Sequence, residues 1–305
     1  MLYTFLHMSS CYVIQFDLKL AENLRDGLVS QGFTLAQPQY TVFQAKKKNL
    51  SCTLYTSGKL MIQGKEKDEF IQYYLEPEIL GTFSYGYEDL DIDQTPRIGI
   101  DESGKGDFFG PLCVAGVFAE GEAIPNLGKI GVKDSKRLND NSICKIAAKI
   151  RKEYAYHVIR IGPKKYNELY EKFENLNLLL GWGHATVIEE LVNKTGCERV
   201  IIDKFAAEHV VETALKRKKM KVMLTQKVRA EQDLVVAAAS ILARAAFVEG
   251  MEKLEKNYGQ KLPKGASNAT LQAGKKLVQN YGPDILMEVG KYHFKTRAMI
   301  LELAL

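Results

Sequence analysis

Short apolar runs alternate with longer helix-like segments in the part of the chain that follows residue 96. Strands are predicted at RIGI (97–100), PLCVAGVFA (111–119), HVIRIG (157–162), RVIID (199–203) and KVMLT (221–225). Helices are predicted at 139–154, 164–194, 206–217 and 231–256. Because strands that alternate with helices form partly parallel sheets with helices on both faces, the pattern predicts an α/β domain with a mixed central sheet.

The first part of the chain has a different pattern, in which strands dominate. A strand-like YVIQF (12–16) and a helix-like segment (20–31) precede the strand-like runs YTVFQAK (40–46) and LSCTLYTSGKLMIQGK (50–65). The last run contains Ser57-Gly58, a tight-turn signal that predicts a hairpin. A small α+β domain is therefore expected.

Cations and one aromatic residue fall together on this predicted sheet. They are Tyr55, Lys46, Lys47, Lys48, Lys59 and Lys65. Such a set suits phosphate contacts and stacking on a base or sugar, although a solvated sheet face explains it equally well.

An acidic stretch separates the two patterns. Residues 76–93 hold six acidic side chains and no basic one, and Pro77, Gly81 and Gly86 interrupt the stretch. The predicted organisation is an N-terminal domain at 1–75, a linker at 76–95 and a main domain at 96–305.

Charge is distributed unevenly over the 305 residues. The net charge of +5 divides into −4 for residues 1–95 and +9 for residues 96–305. Since a basic domain attracts polyanions, a polyanionic partner is favoured for the main domain, although many basic proteins bind no nucleic acid. Five widely spaced cysteines without a CxxC pair favour a cytoplasmic protein with reduced thiols.

The N-terminal residues do not have the pattern of a signal peptide, and either Met1 or Met8 could be the start. No apolar run reaches the roughly 18–20 residues of a membrane helix, so no membrane span is expected.

The segment GIDESGKGDFFGPL carries the strongest indication of chemistry. Asp101 and Glu102 follow an apolar strand directly, and adjacent carboxylates repel each other and raise a pKa. A divalent cation such as Mg²⁺ or Mn²⁺ removes that cost. The glycines at 104, 106 and 110 allow close backbone approach to a phosphate or sugar, and Lys105 adds a cation. The segment therefore predicts a functional site.

The same segment nearly matches a nucleotide-binding P-loop. Residues 99–106 read GIDESGKG, against the pattern GxxxxGK[ST]. Gly106 stands where the metal-binding hydroxyl belongs, two carboxylates would repel the phosphates, and a strand rather than a helix is predicted to follow. A P-loop NTPase is therefore rejected.

Further acids are expected near this site. Asp203 ends the strand RVIID, and Glu231 and Asp233 open the long helix. Each also has a structural explanation, as a helix cap or as a complement to the helix dipole. Convergence at one end of the sheet would create a two-metal site for phosphodiester hydrolysis. The scattered histidines are interpreted as mostly structural: His157, His184, His209 and His293.

At this point the sequence resembles the type 2 ribonuclease H family, and within it the bacterial ribonuclease HIII enzymes, over nearly the whole chain. The motifs that carry the resemblance are IGIDESGKGDFFGPLCVAG, VKDSKRLND, LNLLLGWGHATVIEEL, IIDKF, AAASILARAAF, KLPKGAS and the N-terminal SGKLMIQGK. The resemblance implies a ribonuclease H-like catalytic domain and an N-terminal substrate-binding domain similar to the TATA-binding-protein fold.

The resemblance also implies roles for individual residues. Asp101, Glu102 and Asp203 match three of the family's catalytic, metal-binding acids. Glu231 fits the fourth position best, and Asp233 is the alternative. Gly104-Lys105-Gly106 matches the tripeptide that reads the RNA 2′-hydroxyl, which distinguishes RNA from DNA. Lys133, Ser135 and Lys136 of the VKDSK segment are expected to contact backbone phosphates, with a polar loop as the other explanation.

The implied activity is endonucleolytic cleavage of the RNA strand of an RNA/DNA hybrid, with Mg²⁺ or Mn²⁺, leaving 5′-phosphate and 3′-hydroxyl ends. A monomer without an obligate protein partner is expected. No residue matches the tyrosine with which the related ribonuclease HII enzymes recognise a single ribonucleotide in DNA, Tyr292 included. Preference for stretches of RNA is therefore predicted. A protein that binds hybrids without cutting is the other hypothesis, although acids at a polyanion site weaken binding unless a metal is present.

Overall fold

The computed structural model describes residues 11–81, 92–132, 135, 138–203, 209–228 and 230–304. The chain divides into two compact units, 1–90 and 91–305. Each unit has its own five-stranded sheet, as the two sequence patterns predict.

The N-terminal unit contains an antiparallel sheet with strand order β1-β5-β4-β3-β2. Its strands are β1 (Cys11–Gln15), β2 (Thr34–Ala36), β3 (Thr41–Lys47), β4 (Leu50–Tyr55) and β5 (Lys59–Gln63). Its helices are a 3-10 turn (Leu18–Leu20), α1 (Ala21–Ser30) and α2 (Lys67–Phe70), which continues as a π-helix (Ile71–Leu80). The small α+β domain and the hairpin at Ser57-Gly58 are thereby confirmed. The short β2 was not predicted.

Helices cover one face of this sheet. Leu24 and Leu28 lie one turn apart on α1 and pack with Leu75 of the π-helix against Leu54 and Ile62 of the sheet. Alternation along each strand then directs the intervening side chains to the opposite face. The predicted linker at 76–95 begins inside the π-helix, because the apolar side of that helix extends past position 75 and buries Pro77.

The predicted cation set does not share one face. Alternation places Lys46 and Lys59 with Tyr55 on the face opposite the helices. Lys47 lies on the other side, 5.7 Å above the ring of Phe33. The set is therefore divided, because successive strand residues point to opposite faces.

The second unit has a mixed sheet with strand order β10-β9-β6-β7-β8. Its strands are β6 (Arg97–Ser103), β7 (Leu112–Ala119), β8 (Ala155–Ile161), β9 (Arg199–Asp203) and β10 (Met223–Lys227). The β6-β7 and β7-β8 pairs are antiparallel, whereas β6-β9 and β9-β10 are parallel. The mixed sheet is confirmed, and the strand that follows the glycine-rich loop argues against a P-loop.

Helices lie on both faces of this sheet, as predicted. They are α3 (Ala123–Lys129), α4 (Asp140–Glu153), α5 (Pro163–Phe173), α6 (Leu176–Thr195), α7 (His209–Arg217), α8 (Leu234–Tyr258), α9 (Asn268–Tyr281), α10 (Ile285–Val289) and α11 (Lys295–Ala304). The helices predicted over 164–194 are α5 and α6. Glu174 ends α5 in a left-handed conformation, and the side chain of Asn175 caps α6.

Helix α8 approaches the sheet very closely. A Cβ atom at Gly99 of β6 would lie 2.4 Å from the backbone nitrogen of Val236, so only glycine fits there. No membrane span was expected from the sequence, yet α8 is long and apolar enough to cross a membrane. However, 78% of its most apolar window is buried inside the protein. It is the core helix on one face of the sheet, and α6 packs on the other face.

Candidate active site

A cleft of about 330 Å³ opens where β6 and β9 end and α8 begins. Its walls are formed by Asp101, Glu102, Ser103, Gly104, Lys105, Gly106, Ser135, Asp203, Glu231, Ser240 and Arg244. Strands β6 and β9 are parallel and pair Ile100 with Ile202, so the acids one position later end at the same edge of the sheet. All four predicted acids and the glycine tripeptide line this cleft.

Asp101 lies on the side of the sheet that faces α8. Burial, and then the neighbouring charge of Glu102, raises the pKa of Asp101 to about 7, against the opposing effect of a hydrogen bond with Ser240. The backbone N–H of Glu102 also donates to Oδ1 of Asp101 at 2.8 Å. Like charge and desolvation therefore oppose ionisation of this carboxyl in the metal-free protein.

Glu102 points the other way, because successive strand residues alternate. Its Oε2 atom lies 3.1 Å from Nε2 of His184, a fully buried residue of α6. Burial alone would raise the pKa of Glu102, but the hydrogen bond and charge of His184, helped by Lys105, hold this pKa below its usual value. Lys105 Nζ lies 3.8 Å from Oε1.

The contact of His184 with Glu102 was missed at the level of sequence, where the histidines were interpreted as mostly structural. A signal existed, since a histidine on an otherwise apolar helix needs a polar partner when it is buried. Its partner is 82 positions away, however, so spacing along the chain could not identify it.

Asp203 and Glu231 belong to neighbouring pieces of backbone. Oδ1 of Asp203 accepts a hydrogen bond from the N–H of Ala230 at 3.2 Å. Ala230 begins a 3-10 turn (Ala230–Gln232) that carries Glu231 to the cleft just before α8 starts. The end of β9 and the approach to α8 are thus held together by one carboxylate.

Asp233, the alternative fourth acid, has a different position. Its Oδ1 caps α8 by accepting from the N–H groups of Val235 and Val236 at 2.9 and 3.4 Å. Its Oδ2 accepts from Nε of Arg97 at 2.8 Å, and that arginine is only 2% exposed. Both oxygens of Asp233 therefore have structural partners, while Glu231 lines the cleft.

The glycine tripeptide forms one rim of the cleft. Gly104 has a φ of +89°, and a Cβ atom there would lie 2.2 Å from the carbonyl oxygen of Pro111. At Gly106 a Cβ atom would meet nothing within 4 Å. The first glycine is thus required by the fold, and the second leaves space for an approaching ligand.

Ser135 is the one residue of the predicted phosphate-contacting set whose place is described, since Lys133 and Lys136 lie outside the described residues. Its hydroxyl lies 2.8 Å from the hydroxyl of Ser240, and it is buried. Its carbonyl accepts a hydrogen bond from Arg244, which also donates to Asp140 at 3.1 Å. Sequence reasoning did not single out Ser240 or Arg244, whose partners lie more than a hundred positions away.

The chemistry of the cleft fits a hard divalent cation. Carboxylate oxygens are the ligands that Mg²⁺ and Mn²⁺ prefer, and a cation would offset both the burial and the repulsion from Glu102 that raise the pKa of Asp101. In the part of the chain that the structure describes, no three His, Cys, Asp or Glu side chains are arranged to hold a metal ion.

Comparison with known proteins gives a consistent result for both units. The family model for ribonuclease HII matches residues 98–297, and a model for a domain of unknown function, DUF3378, matches residues 11–84. Relatives called ribonuclease HIII include that of Protochlamydia amoebophila, 55% identical over 290 residues, which cover 95% of this chain and 96% of the relative. That of Chlamydia abortus is 51% identical over 292 residues, covering 95% and 97%.

Solved structures support the same assignment. The crystal structure of Bst-RNase HIII in complex with Mn²⁺ superimposes with a TM-score of 0.66 at 29% identity, over 97% of this chain and 99% of the other. The crystal structure of Aquifex aeolicus RNase H3 gives a TM-score of 0.55 at 27% identity, over 92% and 98%. The chain therefore belongs to the type 2 ribonuclease H family and is an enzyme of its ribonuclease HIII branch.

Proposed function

We propose that this enzyme hydrolyses the RNA strand of RNA/DNA hybrids with the help of divalent metal ions, leaving 5′-phosphate and 3′-hydroxyl ends. The observation that carries the proposal is that Asp101, Glu102, Asp203 and Glu231 line one cleft beside Gly104-Lys105-Gly106. Acids alone would repel a polyanion, so this arrangement makes sense only with bound cations.

Asp101, Glu102 and Asp203 are the residues that would hold the metal, with Glu231 beside them. Mg²⁺ or Mn²⁺ bound there would lower the pKa of an attacking water and stabilise charge on the leaving 3′ oxygen. Binding of Mn²⁺ by the similar Bst-RNase HIII supports this choice of ion.

Neighbouring residues orient the acids before substrate arrives. Ser240 of α8 hydrogen-bonds Asp101 and His184 of α6 hydrogen-bonds Glu102, so a helix from each face of the sheet fixes one carboxylate. Such second-layer contacts keep ligand oxygens in a productive orientation. The N–H of Ala230 does the same for Asp203.

Substrate recognition is assigned to groups at the rim. The backbone amides of Gly104-Lys105-Gly106 would contact the 2′-hydroxyl, which DNA lacks. Lys133, Ser135 and Lys136 would hold phosphates of the backbone. In the present arrangement the Ser135 hydroxyl is engaged with Ser240, so its phosphate contact would require that hydroxyl to turn or the loop to move.

The N-terminal domain is proposed to bind the hybrid through the sheet face opposite its helices. Alternation places on that face Val13, Gln15, Thr34, Gln44, Lys46, Ser51, Thr53, Tyr55, Lys59, Met61 and Gln63. The strand residues on that list include two lysines and no acid, which suits a phosphate backbone. We assign this role to residues 1–75, with 76–95 as linker and 96–305 as catalytic domain, in a cytoplasmic monomer without an obligate partner.

The decisive experiment uses a labelled RNA/DNA duplex with Mg²⁺ or Mn²⁺. Wild type is expected to cut only the RNA strand, and Asp101→Asn and EDTA are each expected to abolish cutting. The matched control is Glu288→Gln, an exposed acid paired with Lys164 at 3.1 Å outside the cleft, and it should cut like wild type. End analysis should show 5′-phosphates.

Binding without cleavage by wild type in either metal would favour a hybrid-binding protein instead. Equal cleavage by wild type and Asp101→Asn would contradict the assignment of the cleft.

A further inference from the structure

A buried lysine meets the loop that joins β6 to β7. Lys291 is completely buried, and its Nζ atom donates to the carbonyl oxygens of Asp107 at 2.7 Å and Gly110 at 2.9 Å, with that of Phe109 at 3.5 Å. Burying an ammonium group is costly unless hydrogen bonds replace its hydration. Here the replacement comes from the backbone of the loop that begins with the glycine tripeptide.

The segment around Lys291 also holds the loop through its backbone. The N–H of Gly110 donates to the carbonyl of Val289, and the N–H of Lys291 donates to the carbonyl of Phe108, both at 2.9 Å. A Cβ atom at Gly290 would lie 2.7 Å from the ring of Phe108, so the two segments are in close contact. Residues about 180 positions later in the chain therefore fix the shape of this loop.

The fixed part of the loop is directly joined to the tripeptide. The N–H of Asp107 donates to the carbonyl of Gly104 at 3.4 Å, which closes a turn over residues 104–107. Lys291 holds the far end of this turn by the Asp107 carbonyl. A displacement at Asp107 would therefore be passed on to the amides of Lys105 and Gly106.

We propose that Lys291 is a positioning residue for substrate discrimination: its ammonium group holds the loop so that the amides of Gly104-Lys105-Gly106 can select a strand with 2′-hydroxyls. The inference rests on the proposed function, because it assigns a supporting residue to the same rim of the cleft. Lys291 lies behind the loop and does not itself touch the substrate.

The surroundings of Lys291 make its charge, and with it the hydrogen bonds to the loop, depend on pH near neutrality. Burial lowers the pKa of Lys291 to about 8, although the charges of Asp107 and Cys113 oppose this shift. Tyr166 presents its ring 5.7 Å from Nζ, and burial, and then Lys291, lowers the pKa of His293. The ammonium group therefore loses its charge as pH rises through about 8, which weakens its hold on the carbonyls.

The test compares affinities for an RNA/DNA hybrid and a DNA duplex of the same sequence, with full-length protein carrying Asp101→Asn to prevent cutting. Lys291→Met is expected to reduce the ratio of hybrid affinity to DNA-duplex affinity by about tenfold. Lys291→Arg is expected to retain most of that ratio. The matched control is Leu277→Ala, a buried change on α9, which should lower the melting temperature without altering the preference.

A second measurement remains decisive if Lys291→Met does not fold. The preference should fall between pH 7 and pH 9 with Lys291 present and stay constant with Lys291→Arg, whose charge persists. If Lys291→Met folds and its preference for the hybrid is unchanged, the proposal is overturned. If Lys291→Met does not fold, a preference that stays constant with pH in the protein with Lys291 overturns it. Absence of any hybrid preference in the parent protein would instead overturn the proposed function, so the two failures are distinguishable.

Discussion

The two sheets of this chain differ in which of their side chains a ligand can reach. The catalytic sheet has helices on both faces, so its side chains can meet a ligand only near the ends of strands. Asp101 lies just beyond the pairing of β6 with β9, and Asp203 is the last residue of β9. The N-terminal sheet has helices packed on one face, and exposed side chains such as Val13 occupy the other. A sheet covered on both faces thus concentrates a few groups at one point for chemistry, whereas the face proposed to bind the hybrid would spread many weak contacts over a larger area.

If this contrast is right, a change at a strand end acts on the reaction far more than a change on a face. After the loss expected for Asp101→Asn, the next largest effect should come from Glu231→Gln in the 3-10 turn beside those strand ends. It should lower kcat by about 100-fold, because it removes a charge from the cleft while leaving the fold intact. Single-turnover cleavage of a hybrid measures it.

Asp233→Asn, two positions later, is the matched comparison for this variant. It should mainly lower stability, because it weakens the cap of α8 and the buried pair with Arg97. A reversal of these two outcomes would mean that Asp233 is the fourth catalytic acid and that the cleft is misassigned.

Burial of Asp101 beside Glu102 should also lower the stability of the metal-free protein in a predictable pH range. The pKa of Asp101 rises from 3.8 to about 7 on folding, so the folded state keeps a proton that the unfolded state releases. The free energy of unfolding therefore falls as pH rises from about 4 to 7. Metal-free Asp101→Asn should melt about 3 °C or more above metal-free wild type at pH 8.

Thermal melts with EDTA at pH 5 and pH 8 check this prediction, because the gap between the two proteins should be smaller at the lower pH. Addition of Mg²⁺ or Mn²⁺ provides the control, since the ion would stabilise wild type and not the variant. A difference in melting temperature that does not depend on pH would show that ionisation of the buried Asp101 carboxyl is not its cause.

On the exposed face a single change should have the smallest effect. Lys46→Ala is expected to weaken hybrid binding a few-fold and to reduce the salt dependence of affinity by about one ion. Lys276→Ala, an exposed lysine on α9, serves as the matched control and should change neither quantity. Loss of all binding with Lys46→Ala would contradict the idea of many weak contacts.

Much of this contrast could be predicted from local sequence. Alternating apolar residues located the hairpin of the N-terminal sheet, and an apolar run followed by an acid located the end of β9. Strand β6 was predicted to end at Ile100, but it continues to Ser103 because residues 101–103 pair with β7. Helix α8 begins at Leu234 rather than at Glu231, because Asp233 caps it. An acid near the start of a helix looks the same in the sequence whether it caps the helix or lines a cleft. Glu231 and Asp233 therefore remained alternatives until the structure was known.

Other parts of the site depend on contacts between distant segments. His184, Ser240 and Lys291 act on groups at least 82 positions away, and no local pattern records such a pairing. The position of β10 moved two residues from the predicted 221–225 for a similar reason, since pairing with β9 fixes its register. Local rules therefore located the acids, whereas tertiary contacts determine how those acids are held.

The absence of a side chain at Gly99 limits which amino-acid substitutions this enzyme can tolerate. Helix α8 is a rigid body that carries Ser240 and Arg244 and follows directly after Glu231, and it is buried on its way to Met251. A methyl group at Gly99 would push the whole helix outward, so three parts of the cleft would shift together. Sequence drift should therefore be tolerated mainly beyond Met251, where α8 emerges from the core.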